Sequence, residues 1–133
     1  MINTKRVYEE VDPNDGPRFL VERLWPRGMR KESLHMEAWL KDVAPGDALR
    51  KWFGHDPAKW EEFRKRYFVE LGDNPEAIQP ILEAARGGNV TLLYSAHDTE
   101  HNNAAALKEY LLIVLNSQKK GGRNVFRQGG RGI

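Results

Sequence analysis

This sequence predicts an α/β fold: a small parallel sheet flanked by helices in a Rossmann-like three-layer arrangement. Three observations carry that expectation. Val90 to Tyr94 is apolar or nearly so on both alternating sets, Val90, Leu92 and Tyr94 against Thr91 and Leu93. A central strand covered on both faces needs such a run. The strand leads straight into seven polar residues, His97 to Asn103, and then a helical pattern from Ala104. Open α/β sheets bind ligands where strand ends meet helix starts. The third observation is order: two strands, several helices, a strand and a helix. That order suits parallel strands joined by right-handed crossovers.

The elements follow in turn. Thr4 to Tyr8 reads as a short strand. The cluster Asp12-Pro13-Asn14-Asp15-Gly16-Pro17 reads as a turn. Arg18 to Leu24 reads as a second strand, stopped by Pro26 and Gly28. The spacing of Met36, Trp39, Leu40 and Val43 predicts a helix over His35 to Val43. Asp47 is placed to cap a turn holding Leu49, Trp52 and Phe53. Asp56-Pro57 is a helix start, an N-cap acid followed by proline. Trp60, Phe63, Tyr67 and Leu71 then share a face, and Gly72 fits the stop. Asn74-Pro75 opens another helix, broken or delayed by Pro80, with Ile78, Ile81, Leu82 and Ala85 apolar and Gly87-Gly88 closing it. The last helix starts near Asn102 or Asn103 and buries Leu107, Leu111, Val114 and Leu115.

The chain has 133 residues, enough for one domain with a real core. We expect that domain to span residues 1–118. It has no cysteine, so it carries no disulfide and no thiolate chemistry. The start, MINTKRVYEEVD, is unlike a signal peptide. The longest apolar run, Leu111 to Leu115, is too short to span a bilayer. The expectation is a soluble cytoplasmic protein with no membrane role. The net charge is +2, but Lys119, Lys120, Arg123, Arg127 and Arg131 contribute +5 and leave the rest at −3. The basicity therefore sits in a Gly-rich segment, residues 119–133, expected to be a disordered tail.

Two loops attract attention. The first is Arg23-Leu24-Trp25-Pro26-Arg27-Gly28, at the expected carboxyl end of the second strand. Arginine offers a fork of donors matched to phosphate or carboxylate. Trp25 and Pro26 would stiffen the loop and lower the entropy lost on binding. The ordinary alternative pairs Arg23 with Glu22 or Asp42 and puts Trp25 in the core. The second loop follows Tyr94 and Ser95. His97 is a candidate acid or base with Asp98 to orient it, and Asp98 or Asn102 can cap the last helix. Ligand-binding candidates are thus Arg23, Trp25, Arg27, Tyr94, Ser95 and Asn102. Catalytic candidates are His97 and Asp98.

Other patterns carry less. His97-Asp98-Thr99-Glu100-His101 fits the H-x-x-E-H zinc spacing. It starts two residues after a strand, where His97 is still in a loop, and no third ligand is set aside. The sequence therefore implies no metal and no cofactor. Tyr94-Ser95 lacks the G-x-S-x-G elbow, and neither G-x-G-x-x-G nor a Walker loop is present. His55 reads as a surface residue, and the aromatics from Trp39 to Tyr67 read as core.

The blocks VERLWPRGMRKE, LKDVAPGDALRKWFGHDPAKWEEFRKRYFVEL and VTLLYSAHDTEHNNAAALKEYL resemble the YeaO-like family of bacterial proteins of unknown function. The resemblance runs from about Lys5 to Leu115. It implies a small bacterial cytosolic α/β protein and no particular activity. Arg23, Trp25, Pro26, Arg27, Gly28, Arg50, Phe63, Tyr67, Leu93, Tyr94 and Asn102 match its pattern. Glu22 stands where Asp is usual, and Gly46 where Ser is usual. Position 97 is often Lys or Arg in the family, which makes His97 a stand-in for a cation. The resemblance so favours a positive pocket built from Arg23, Arg27 and residue 97.

The expected function is binding of, or catalysis on, an anionic small molecule of phosphate or nucleotide type at the carboxyl ends of the strands. The alternative is a nucleic-acid-binding module using the arginine loop and the basic tail. The acidic body weighs against it, because phosphate affinity follows clustered positive charge. The oligomeric state is left open.

Overall fold

The computed structural model describes residues 1–124, with backbone alone from 119 to 124. Four strands, β1 (Ile2–Arg6), β2 (Arg18–Leu20), β3 (Ala38–Trp39) and β4 (Val90–Tyr94), form one all-parallel sheet. Their order is β1-β4-β2-β3, so the last strand inserts between the first two. Every residue of β4 is buried, as its doubly apolar sequence predicts. Val90 and Leu92 face Ile2 and Thr4 in register, and Leu92 and Leu93 face Phe19 and Leu20.

Four helices follow the chain: α1 (Asp47–Phe53), α2 (Trp60–Gly72), α3 (Gln79–Gly87) and α4 (Asn103–Asn124). Local signals set their starts. Asp56 accepts from the Ala58 N–H at 3.0 Å, and Pro57 opens a 3-10 turn that runs into α2. Phe63, Tyr67 and Leu71 then bury one stripe of α2. Pro80 falls in the first turn of α3, where its missing N–H costs nothing. A separate 3-10 turn, Pro75–Ile78, precedes it, so the helix begun at Asn74-Pro75 is broken as expected. The cluster from Asp12 is a 3-10 turn closed by a capping box.

The two faces of the sheet are covered differently. All four helices pack into one core with Phe19, Val21, Val90, Leu92 and Tyr94. On the other face Leu20 and Leu93 meet Val7 and Leu34, with Trp25, Met29, Met36 and Trp39 packed around them. The third layer of this Rossmann-like arrangement is therefore irregular chain, not helix.

Three sequence expectations shift. The helix over His35 to Val43 does not form. That segment gives β3 and a 3-10 turn, Lys41–Val43. The Glu37 and Leu40 N–H groups donate to the Arg18 and Leu20 carbonyls, so pairing with β2 outweighs a helical spacing. The first strand lies two residues earlier than Thr4 to Tyr8. The second ends at Leu20, with Val21 still donating to the Leu93 carbonyl before the chain turns away. Helix α4 starts at Asn103, as expected, and continues through Asn124. The remainder of the segment expected to be a disordered tail, 125–133, lies outside the described residues.

Candidate functional site

A cleft of about 1050 Å³ opens at the carboxyl ends of the strands. The loop after β2 supplies Glu22 to Arg27. The loop after β4 supplies Ser95 to Asp98, and the start of α4 adds Asn102 and Asn103. Ala44, Pro45 and the end of α1 with His55 form a third wall, and Arg6 and Tyr8 a fourth. The two loops singled out in the sequence thus share one edge, because β2 and β4 are parallel neighbours.

Hydrogen bonds stitch these walls together. Ser95 Oγ donates to Glu22 Oε1 at 2.6 Å, joining the ends of β4 and β2. Arg6 Nε donates to the Ala96 carbonyl at 2.8 Å and Nη2 to the Ser95 carbonyl at 3.2 Å, joining β1 to the same loop. Asn103 Nδ2 donates to the Val21 carbonyl and ties α4 to the end of β2. Trp25 Nε1 donates to the Met29 carbonyl, and its ring stands edge-on to Trp39 at 5.3 Å. Trp25 therefore serves the core and the cleft wall together.

Arg23, Trp25, Arg27, Ser95, His97, Asp98 and Asn102 all line the cleft. Tyr94 does not. It is buried in the helical core, and that burial raises its phenol pKa. Arg23 pairs with neither Glu22 nor Asp42. It donates to the Ala44 carbonyl at 3.1 Å and the Pro45 carbonyl at 3.3 Å. The same loop takes the Tyr67 hydroxyl on the Val43 carbonyl and gives the Gly46 N–H to Glu70 at 2.8 Å. Arg23 is thus a brace for the loop before α1. The Arg27 side chain, by contrast, is exposed and has no partner among the described residues.

Asp98 does not orient His97. Its Oδ1 accepts the His101 and Glu100 N–H groups, each at 2.9 Å, and its Oδ2 meets His101 Nδ1 at 2.9 Å. The His101 backbone bond, the Glu100 backbone bond and the His101 ring hold its pKa at about 2. A carboxylate so occupied is a poor base near neutral pH. The His101 ring also stands edge-on to Trp60 at 5.2 Å, while His97 is exposed. The two histidines of the H-x-x-E-H match are thus differently engaged. Asn102 is 2 % exposed, with Oδ1 accepting from Ala105 N–H and Nδ2 donating to the Asp98 carbonyl. It caps α4.

Sequence reasoning missed Arg6, Glu22, Lys51, His55 and Asn103 as cleft residues. Arg6 was hidden by the misplaced end of β1. Lys51 and His55 reach the cleft only through the packing of α1. Gly54 marks the end of α1 with a left-handed φ of 53°, but His55 follows it at 60°, a conformation that a non-glycine residue seldom adopts.

Fold and cleft define a class: a small parallel α/β protein with a cation-rich cleft at the carboxyl edge of its sheet. The chain belongs to the YeaO-like family. Residues 1–126 match the family model DUF488-N3i, described as the inactive DUF488-N3 subclade. The chain is 38% identical over 110 residues to the uncharacterized protein YeaO of Escherichia coli strain K12, covering 83% of this chain and 96% of that one. It is also 38% identical over 110 residues to an uncharacterized protein of Mycobacterium tuberculosis strain H37Rv, covering 83% and 92%. No solved structure matches it.

Proposed function

We propose that this protein binds an anionic small molecule of phosphate type in the cleft, as a binding protein and not as a catalyst. One observation carries the reading. Arg6, Arg23, Arg27, Arg50 and Lys51 line the cleft, against only Glu22 and Asp98 as acids. Arg27 and Lys51 have no partner among the described residues, and Arg50 Nε is buried without one. A cationic cleft with spare donors suits an anion. The pinned Asp98 and the description of the subclade as inactive support binding over catalysis. We place the role in the cytoplasm, with which the cysteine-free sequence is compatible.

Nucleic acid is the weaker reading. Glu22 and Asp98 interrupt the cationic set, and phosphate affinity follows clustered positive charge. Thermal melts with inorganic phosphate test the proposal. A rise of about 5 °C is expected at roughly ten times the dissociation constant. Arg27→Ala and Lys51→Ala should remove the rise and leave the ligand-free melt unchanged. An intact protein indifferent to phosphate and pyrophosphate overturns it.

A further inference from the structure

Glu22 is out of place in a simple anion pocket. It lines a cleft with five cationic side chains, yet among the described residues it forms no ion pair. Its Oε1 takes the Ser95 hydroxyl, and its Oε2 has no hydrogen-bond partner among the described residues. The residue is pinned from both sides. Its own carbonyl accepts Trp39 Nε1 at 2.6 Å, and the preceding Val21 carbonyl accepts Asn103 Nδ2. A carboxylate held this way is a preorganised acceptor. Toward a bare phosphate it is repulsive. It favours a ligand only if that ligand brings a donor to meet it.

We infer that Glu22, braced by Ser95, reads a hydroxyl, so that the ligand of this cleft is the phosphate ester of a sugar or small polyol. The inference rests on the anion-binding reading and refines it. The cleft, about 1050 Å³, has room for more than a phosphate ion. The cations take the phosphate, and the free oxygen of Glu22 accepts from the sugar.

Calorimetric titration of the full chain with ribose 5-phosphate and with inorganic phosphate tests it. The intact protein should bind ribose 5-phosphate more tightly. Glu22→Gln should weaken ribose 5-phosphate about tenfold or more, the usual loss for a hydrogen bond to a charged group. The same variant should bind inorganic phosphate at least as well as before, because a repulsion is gone. Glu22→Asp keeps the carboxylate and should keep the preference for the sugar ester. Equal loss for both ligands in Glu22→Gln, or no preference in the intact protein, overturns the inference. If phosphate binds and the sugar adds nothing, only this inference falls. If neither ligand binds, the anion-binding reading falls with it.

Discussion

Two charged clusters sit on this sheet, and they are built in opposite ways. On the face without helices, Asp15 accepts from Arg18 and from Lys5, and its backbone carbonyl takes the Thr91 hydroxyl at 2.8 Å. Arg18 adds a bond to the His35 carbonyl at 2.7 Å. Both Asp15 and Arg18 are buried. Burial alone would raise the Asp15 pKa, but the Asp12 N–H, Arg18 and Lys5 hold it below the usual carboxylate value. At the carboxyl edge, Arg27, Lys51 and one oxygen of Glu22 are left without partners among the described residues. The first cluster is saturated and belongs to the fold. The second holds spare donors and a spare acceptor, which is what a ligand site requires.

That contrast can be broken by substitution. The largest effect belongs to the saturated cluster. Asp15→Ala strands the buried Arg18 guanidinium and should cost about 3–5 kcal/mol of stability in urea unfolding. A loss under 1 kcal/mol would mean that the cluster is no more structural than the cleft.

Within the cleft, Arg23→Ala should cost about 2 kcal/mol, because two backbone carbonyls lose charged donors. Arg27→Ala should change stability by less than about 0.5 kcal/mol. Equal effects of the two substitutions would erase the distinction between brace and spare donor. Asn102→Ala should cost about 1 kcal/mol, the usual value of a helix cap, read by the same denaturant method.

The smallest effect is pH-dependent. Asp98 has a folded pKa of about 2 against an ordinary value of 3.8. A depressed carboxylate stabilises the fold above its unfolded pKa and loses that contribution as pH falls through the folded one. The contribution of Asp98 should thus be complete above about pH 4 and fade toward pH 2. Amide resonances of Glu100 and His101 should follow it by NMR. Movement of these amides centred near pH 4 would show that the two backbone bonds do not hold the carboxylate.

Much of the fold was legible because its signals are local. Asp56-Pro57, Asn102 and the doubly apolar β4 each act within a few residues of themselves. The helix expected over His35 to Val43 failed for a tertiary reason. Met36 and Trp39 pack on the face without helices, while Leu40 and Val43 join the helical core. Their spacing of three and four therefore reflects two faces of a sheet edge and not one face of a helix. Tyr94 misled in a related way. It ends the strand that feeds the cleft, but its side chain belongs to the helical core, because strand residues alternate between faces.

The sequence by itself determined the central strand, the helix starts and the edge at which the two polar loops meet. Hydrophobic alternation and capping are near-neighbour physics, so they can be read along the chain. Only the tertiary structure decided which polar groups were left over. Arg23 and Arg27 are four residues apart and chemically identical, yet one is used up on the Ala44 and Pro45 carbonyls and the other is not. Asp98 is used up on its own turn, while Glu22 keeps an oxygen open beside Ser95. Whether a charge is spent on the fold or left for a ligand depends on which distant backbone groups arrive beside it, and that is settled when the strands pair.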